Sequence, residues 1–402
     1  MGNETMKDVV IIGNGIAGVT AAETIRKEDT QVNITIIDRE KYPVYYKPML
    51  SKFIGQDKLP STFFVRKETW YEEKNIQLMS EYEVTDIDDS KRQVYITNGH
   101  DDTSLHYDKL IVASGSYCFV PPIENNHLEN VFTLRTYDDA LRIKQVMKEH
   151  HKATVIGGGL LGLELAAQLH QAGMEVTVVE IMERLLPIQL DQKGAEILEN
   201  GFDVEGMNVL KGTGVKRFLG DKKVTGVETV DGHTIESDLV MISAGVRIDP
   251  KIAKKLDIDF DKAIIVNKHM QTSKEHIYAC GDCVCFEGHD FAIWPEALSQ
   301  GQVAGQNVVG KNEIYEHFVP STILHAMGLN IFSIGEMEVD EDEEGISILN
   351  YENKKAGIYK RMNFKDDVLI GGILVNDQRK AKFLLKGIKE GAALKDLYEV
   401  LQ

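Results

Sequence analysis

The sequence predicts an α/β fold built around two copies of one strand, glycine turn and helix unit. Three observations predict it. The stretch "KDVVIIGNGIAGVTAAETIRK" reads as a buried apolar strand, a glycine-rich turn and an amphipathic helix. "KATVIGGGLLGLELAAQLHQAGMEVTVVE" repeats that pattern 144 residues later. Apolar strands running into small-residue turns recur at "YDKLIVASGS", "DLVMISAGVRIDP" and "TSKEHIYACGD".

Each element has a physical reason. In the first copy Gly13 allows the tight turn, Gly15 lets the backbone approach a pyrophosphate, and Gly18 lets the helix pack on the strand. The helix N-terminus then faces the phosphates. The next strand, "VNITIID", ends in Asp38, where a carboxylate accepts hydrogen bonds from the ribose of an adenosine. Between the copies, "DDSKRQVYITNG" predicts a hairpin. In the second copy Gly157, Gly159 and Gly162 take the same three roles, Gly173 stops the helix, and Glu180 ends the following strand. Two complete copies, each with its terminal acid, define two Rossmann-like dinucleotide-binding domains. Two such domains suggest two different nucleotides.

Composition narrows the function classes. A chain of 402 residues with 43% hydrophobic content can bury a large core and has the length of two to three domains. No apolar run approaches the roughly 18 residues of a membrane span, so a cytoplasmic protein is expected. "MGNET" matches a myristoylation start only by its short pattern. A formal charge of −18 argues against nucleic-acid binding. Four cysteines do not make a disulfide framework. Three of them, Cys280, Cys283 and Cys285, are close together but lack a nearby fourth ligand, which favours a small-residue turn over a metal site. The twelve histidines show no metal-ligand spacing, and His325 is expected to be structural. Charge is uneven: residues 336 to 344 carry seven acids and no base, whereas residues 353 to 402 hold eleven Lys/Arg against six Asp/Glu. Solvated surface is the default reading of both runs.

The ordered set "GNGIAG", "YDKLIVASGS", "GGGLLGLELA", "SAGVRIDP" and "TSKEHIYACGD" resembles the two-dinucleotide-domain flavoproteins of the pyridine nucleotide–disulfide oxidoreductase superfamily over nearly the whole chain. Within it, "YYKPMLSKFI", "ETWYEEKNI" and "TYDDALRIK" are most similar to NADH:rubredoxin oxidoreductases, with ferredoxin reductases and nitrite reductase flavin domains close behind. The resemblance implies FAD at the first fingerprint and NAD(P)H at the second. It implies an FAD domain at 1–115 and 247–320, an NAD domain at 116–246 and a C-terminal α+β interface domain at 321–402. Around the cofactors it implies Arg39, Lys47, Pro48, Val84, Ser114, Gly115, Gly281, Asp282 and Glu296 besides the fingerprint residues, with Asp282 at the flavin ribityl–phosphate region. Asp38 departs from the glutamate more usual in the family.

Disulfide reductases of this superfamily place cysteine in or beside the helix that follows the first βαβ unit, and "KPMLSK" has none. Pro48 suits the first position of a short helix ending at Gly55, which sets Lys52 one turn on from Lys47. By resemblance to the ferredoxin reductases, Lys52 pairs with Glu164 as the catalytic couple, positioning nicotinamide and stabilising negative charge on reduced flavin. Tyr45 and Tyr46 are candidates for covering the flavin edge or for core, and the resemblance implies that Trp294 opens a helix under the flavin. Glu180 favours a free ribose 2′-hydroxyl, hence NADH over NADPH, while Arg184 four residues later is a candidate phosphate ligand.

Without a sulfur relay, the expected acceptor is a small one-electron carrier, an iron–sulfur or rubredoxin-type protein. Lys382, Lys386 and Lys389 share a helix face that would steer it, and Phe383, Leu384, Ile388 and Leu394 would bury the opposite side. The rival readings are a peroxide-forming NADH oxidase and an NADH-sensing flavoprotein binding module.

Overall fold

The computed structural model describes residues 6–56, 58–290, 292–316 and 319–393. The chain forms two compact units: Met1–Met49, Leu59–Tyr117 and Val246–Phe318 make the first, and Leu50–Lys58, Cys118–Gly245 and Val319–Gln402 the second.

The first unit is organised by a five-stranded parallel sheet in the order Ile277–Ala279, Lys109–Val112, Asp8–Ile12, Asn33–Asp38, Ile76–Ser80. Its central strands are apolar on both faces because helices cover them: Val9, Val10, Ile11, Ile36, Leu110 and Ile111 are all buried. Helix Ile16–Glu28 follows the glycine turn and lies against helix Trp294–Val308. Two glycines make that contact close. A Cβ on Gly301 would lie 2.3 Å from Ala17 O, and one on Gly305 would lie 2.7 Å from Ala21 O. The expected hairpin is present as Glu83–Asp88 paired with Gln93–Thr97, extended by Asp102–His106 into a three-stranded meander.

The second unit repeats this architecture. Its parallel sheet runs Asn208–Leu210, Glu175–Val179, Lys152–Ile156, Leu239–Ile242, Val131–Phe132, with an antiparallel meander of Val215–Leu219, Gly226–Thr229 and Thr234–Glu236. To it are added an antiparallel sheet in the order Ser321–Ala326, Leu329–Gly335, Val368–Val375, Ile358–Lys365, Ile346–Asn353, and helix Ala381–Glu390. Leu384 of that helix is buried against Phe332, Phe364 and Leu374 of the sheet.

Phe383 corrects an expectation, since it is 57% exposed rather than buried. One residue on a helix is about 100° of rotation, so the stripe that faces the sheet is Leu384, Gly387 and Ile388, and Phe383 falls beside it among the lysines. Leu394 lies outside the described residues.

Candidate functional site

Both glycine turns are built alike. Gly13 has φ +115° and Gly157 φ +114°, a backbone region where side chains other than glycine are strained. A Cβ on Gly13 would lie 2.2 Å from Ala113 O, and one on Gly157 would lie 2.3 Å from Ser243 O. Gly18 and Gly162 sit against the carbonyls of Gly13 and Gly157, at 2.1 and 2.0 Å from where their Cβ atoms would be. Gly15 and Gly159 differ from all four: a Cβ there would meet no protein atom within 4 Å. Each is the N-cap of a helix, and neither side of the helix start receives a side-chain cap. Free amides at a helix N-terminus, beside space that glycine leaves open, fit a pyrophosphate.

The terminal acids also match. Asp38 Oδ2 accepts from Asn14 N at 2.5 Å and its Oδ1 from Glu40 N at 2.7 Å. Glu180 Oε2 accepts from Gly158 N at 2.5 Å and its Oε1 from Met182 N at 2.7 Å. Each carboxylate is thus fixed by the amide in the middle of its glycine turn and by the amide two residues on. Burial pushes the Asp38 carboxyl up, opposed by the hydrogen bonds from Glu40 and Asn14. Asn14 is anchored further by Tyr71, whose hydroxyl donates to its Oδ1 at 2.8 Å.

Other expected residues of the first unit fall into two groups. Ser116 donates to Asp282 at 3.2 Å, next to Gly281 at φ +81° and Gly115 at φ +69°, with Ser114 exposed beside them. Lys47 pairs with Glu40 at 3.0 Å, and Pro48 lies exposed in the 3-10 turn Lys47–Met49. Arg39 is exposed, whereas Val84 is half-buried against the core. Glu296 is buried and accepts from Gln300 Nε2 at 3.0 Å and Tyr315 at 3.1 Å, while Gln300 Oε1 accepts from Gly281 N at 2.8 Å. Glu296 therefore reaches the Asp282 turn through Gln300. Tyr45 is core: it stacks on Phe63 at 5.2 Å and donates to Glu40 at 2.6 Å. Tyr46 instead meets Trp294 edge-on at 4.7 Å. This pair stands at a groove of about 870 Å³ that also takes in Met49, Phe64, Leu298 and Arg66, which sequence patterning gave no reason to group.

In the second unit, helix Leu50–Ile54 packs on helix Leu160–Gln171. The expected Lys52–Glu164 contact is displaced by one residue. Buried Ser51 donates its hydroxyl to Glu164 Oε2 at 3.0 Å, whereas Lys52 is exposed and makes no ion pair among the described residues. Glu164 Oε1 makes no hydrogen bond among the described residues either. Burial raises the Glu164 carboxyl above its ordinary range, with Ser51, Lys52 and His325 acting the other way. His325 is exposed, on strand Ser321–Ala326, and bonds Asn330 at 2.6 Å. Beyond Glu180, Ile181, Met182 and Val230 are exposed apolar side chains. Gly214 lies between Ile181 and Val230, a grouping visible only once the strands are paired.

Three of the four cysteines are held as thiols. Burial pushes the thiols of Cys118 and Cys280 up and that of Cys283 to about 11. Among the described residues no group of His, Cys, Asp or Glu is placed to hold a metal ion, and no helix is long and apolar enough to cross a membrane.

Two cradles of matching construction define a protein that holds two dinucleotides. The chain belongs to the pyridine nucleotide-disulphide oxidoreductase family, which its residues 7–301 match; this is a family of NAD(P)H-dependent oxidoreductases that bind FAD. Residues 320–392 match the rubredoxin NAD+ reductase C-terminal domain. The chain is 35% identical to the NADH-rubredoxin oxidoreductase of Clostridium acetobutylicum, over 82% of each chain. A solved structure of NADH:rubredoxin oxidoreductase from that organism is 30% identical with TM-score 0.81, covering 98% of this chain and 97% of the other. The nitrite reductase [NAD(P)H] of Bacillus subtilis is 33% identical over 98% of this chain and 48% of its own, so the chain spans about half the length of that relative.

Proposed function

We propose that the chain takes hydride from NADH onto FAD and passes electrons singly to a small iron protein, with a rubredoxin-type carrier the leading candidate, in the cytoplasm. The observation that carries this reading is the short helix after Met49: it carries Ser51 and Lys52 where a disulfide reductase needs sulfur. FAD, when bound, supplies the chemistry that accepts a hydride and gives electrons up one at a time.

The chain's own residues bind and orient. Gly13, Gly15, Gly18 and Asp38 would hold FAD, with Arg39, Lys47, Pro48, Val84, Ser114, Gly115, Gly281, Asp282 and Glu296 around it. Gly157, Gly159, Gly162 and Glu180 would hold NADH. Glu164 keeps one oxygen on Ser51 and has the other available to accept from the nicotinamide carboxamide. Lys52 supplies a cation close enough to lower the Glu164 carboxyl. Residues 1–115 with 247–320, 116–246 and 321–402 would act as FAD, NAD and carrier-facing domains.

Anaerobic titration with NADH, followed by candidate carriers, tests the whole reading. Bleaching at one equivalent and rapid reoxidation by a rubredoxin or ferredoxin are expected. Failure with every carrier, together with fast aerobic turnover to peroxide, would replace it with an NADH oxidase. Lys52→Met is expected to slow reduction by NADH; unchanged kinetics and potential would remove the role of Lys52.

A further inference from the structure

Every acid of the run at 336–344 is exposed, and three of them are paired. Glu338 pairs with Arg184, Glu341 with Arg361 at 3.3 Å, and Glu343 with Lys365 at 2.8 Å. Arg184 stands at the second cradle. The segment after Glu180 is tied down at both ends: Met182 N donates to Glu180 Oε1 at 2.7 Å, and Leu186 N donates to Gly158 O of the glycine turn at 3.1 Å. Leu185 packs onto Gly158 itself, its Cδ2 2.5 Å from where a Cβ would be. Arg184 leaves the chain between these anchors, four residues after Glu180.

One nitrogen of its guanidinium is already committed. Nη2 donates to Pro187 O at 2.8 Å and to Glu338 Oε1, and Nε is buried with no acceptor among the described residues. The side chain is only 22% exposed. An arginine at this point of the turn is the group that would recognise a ribose 2′-phosphate, because a planar guanidinium matches phosphate oxygens. A carboxylate bound to it cancels the charge and occupies the donor.

The geometry points to Glu338 as a specificity-determining residue: by holding Arg184 it turns the second cradle toward a nucleotide with a free 2′-hydroxyl and against one with a 2′-phosphate. This rests on the reading of that cradle as the NADH site. Glu180 and Glu338 then exclude the phosphate in two ways, Glu180 by repulsion and Glu338 by withdrawing the cation that would offset it.

The test measures dissociation constants of 5′-ADP and 2′,5′-ADP by calorimetry on the FAD-loaded protein and its variants. Glu338→Gln is expected to tighten 2′,5′-ADP about threefold to fivefold relative to 5′-ADP, the range of an exposed charge pair. Glu338→Lys should move the ratio further, Glu338→Asp should keep the original ratio, and Arg184→Met added to Glu338→Gln should erase the gain. The NADPH to NADH ratio of kcat/KM should follow the same order. An unchanged ratio in both Glu338→Gln and Glu338→Lys, with normal 5′-ADP binding, overturns this inference alone. Failure of the unmodified protein to bind 5′-ADP overturns it together with the reading of the cradle.

Discussion

Ser51 donates its hydroxyl to Glu164 across 3.0 Å, joining two helices whose residues are 113 positions apart in sequence. The bond fixes one carboxylate oxygen and favours the charged form of a group that burial otherwise disfavours. Ser51 is thus a positioning residue for Glu164.

Ser51→Ala should slow reduction by NADH at neutral pH about threefold to tenfold, the net worth of an ordinary intramolecular hydrogen bond. Because the loss moves the Glu164 carboxyl further up, the pH profile should shift to the alkaline side, and Ser51→Thr should restore it. Stopped-flow reduction across pH checks this. A uniformly slower enzyme with the same profile would mean that Ser51 acts only in packing.

Glycines of one turn should fail in different ways. Gly18→Ala and Gly162→Ala place a Cβ about 2 Å from a carbonyl oxygen, so both should lower Tm. Gly15→Ala and Gly159→Ala meet no protein atom and should leave the fold intact. Gly15→Ala should instead lose FAD, and Gly159→Ala should keep FAD and weaken NADH. Flavin content beside thermal melts separates these outcomes, and a stable, fully flavinated Gly15→Ala protein would contradict the assignment.

Asp89 governs acid stability of the first unit. Burial opposes its charge, but His276 at 2.6 Å, Lys274 at 2.9 Å and Tyr107 at 2.9 Å hold its carboxyl at about 2, below the ordinary 3.8. A depressed folded-state value stabilises above the unfolded value and is lost as pH falls through the folded one. Asp89→Asn should therefore cost on the order of 2 kcal/mol at neutral pH, with the difference vanishing between about pH 4 and pH 2. Denaturant midpoints at several pH values measure it.

The basic helix face should govern the carrier and leave NADH untouched. Lys382, Lys386 and Lys389 are exposed, with Lys386 also 3.7 Å from Glu390. Phe383 stands among them as an apolar contact point. Reversing the three lysines to Glu should slow carrier reduction and flatten its salt dependence, since the attraction is screened over about 10 Å at 0.1 M. Normal carrier kinetics in the triple variant would remove this docking surface.

Most of what forms the cradles was legible in the sequence, because each depends on local spacing. Gly13 and Gly157 take the positive φ that their motif demands, Asp38 ends its strand and Glu180 directly follows one. The hairpin at 83–97 and the short helix after Pro48 follow from turn residues within a few positions. What was not legible depends on partners far along the chain. Which of two adjacent residues, Ser51 or Lys52, turns toward Glu164 is set by how two helices pack. That Glu338 reaches Arg184, 154 residues earlier, is set by the fold of the C-terminal sheet. Phe383 misled because periodicity gives the width of an apolar stripe less sharply than its existence.

The close helix pair in the first unit bears on how the protein is made. Helix Ile16–Glu28 rests on Gly301 and Gly305, and the edge strand beside Lys109–Val112 is Ile277–Ala279. The second cradle draws its parallel sheet from residues 131–242 alone. At about 5–20 residues per second on the ribosome, the first glycine turn emerges some tens of seconds before the residues that complete its unit. The parallel sheet begun first is therefore completed after the sheet of the second cradle.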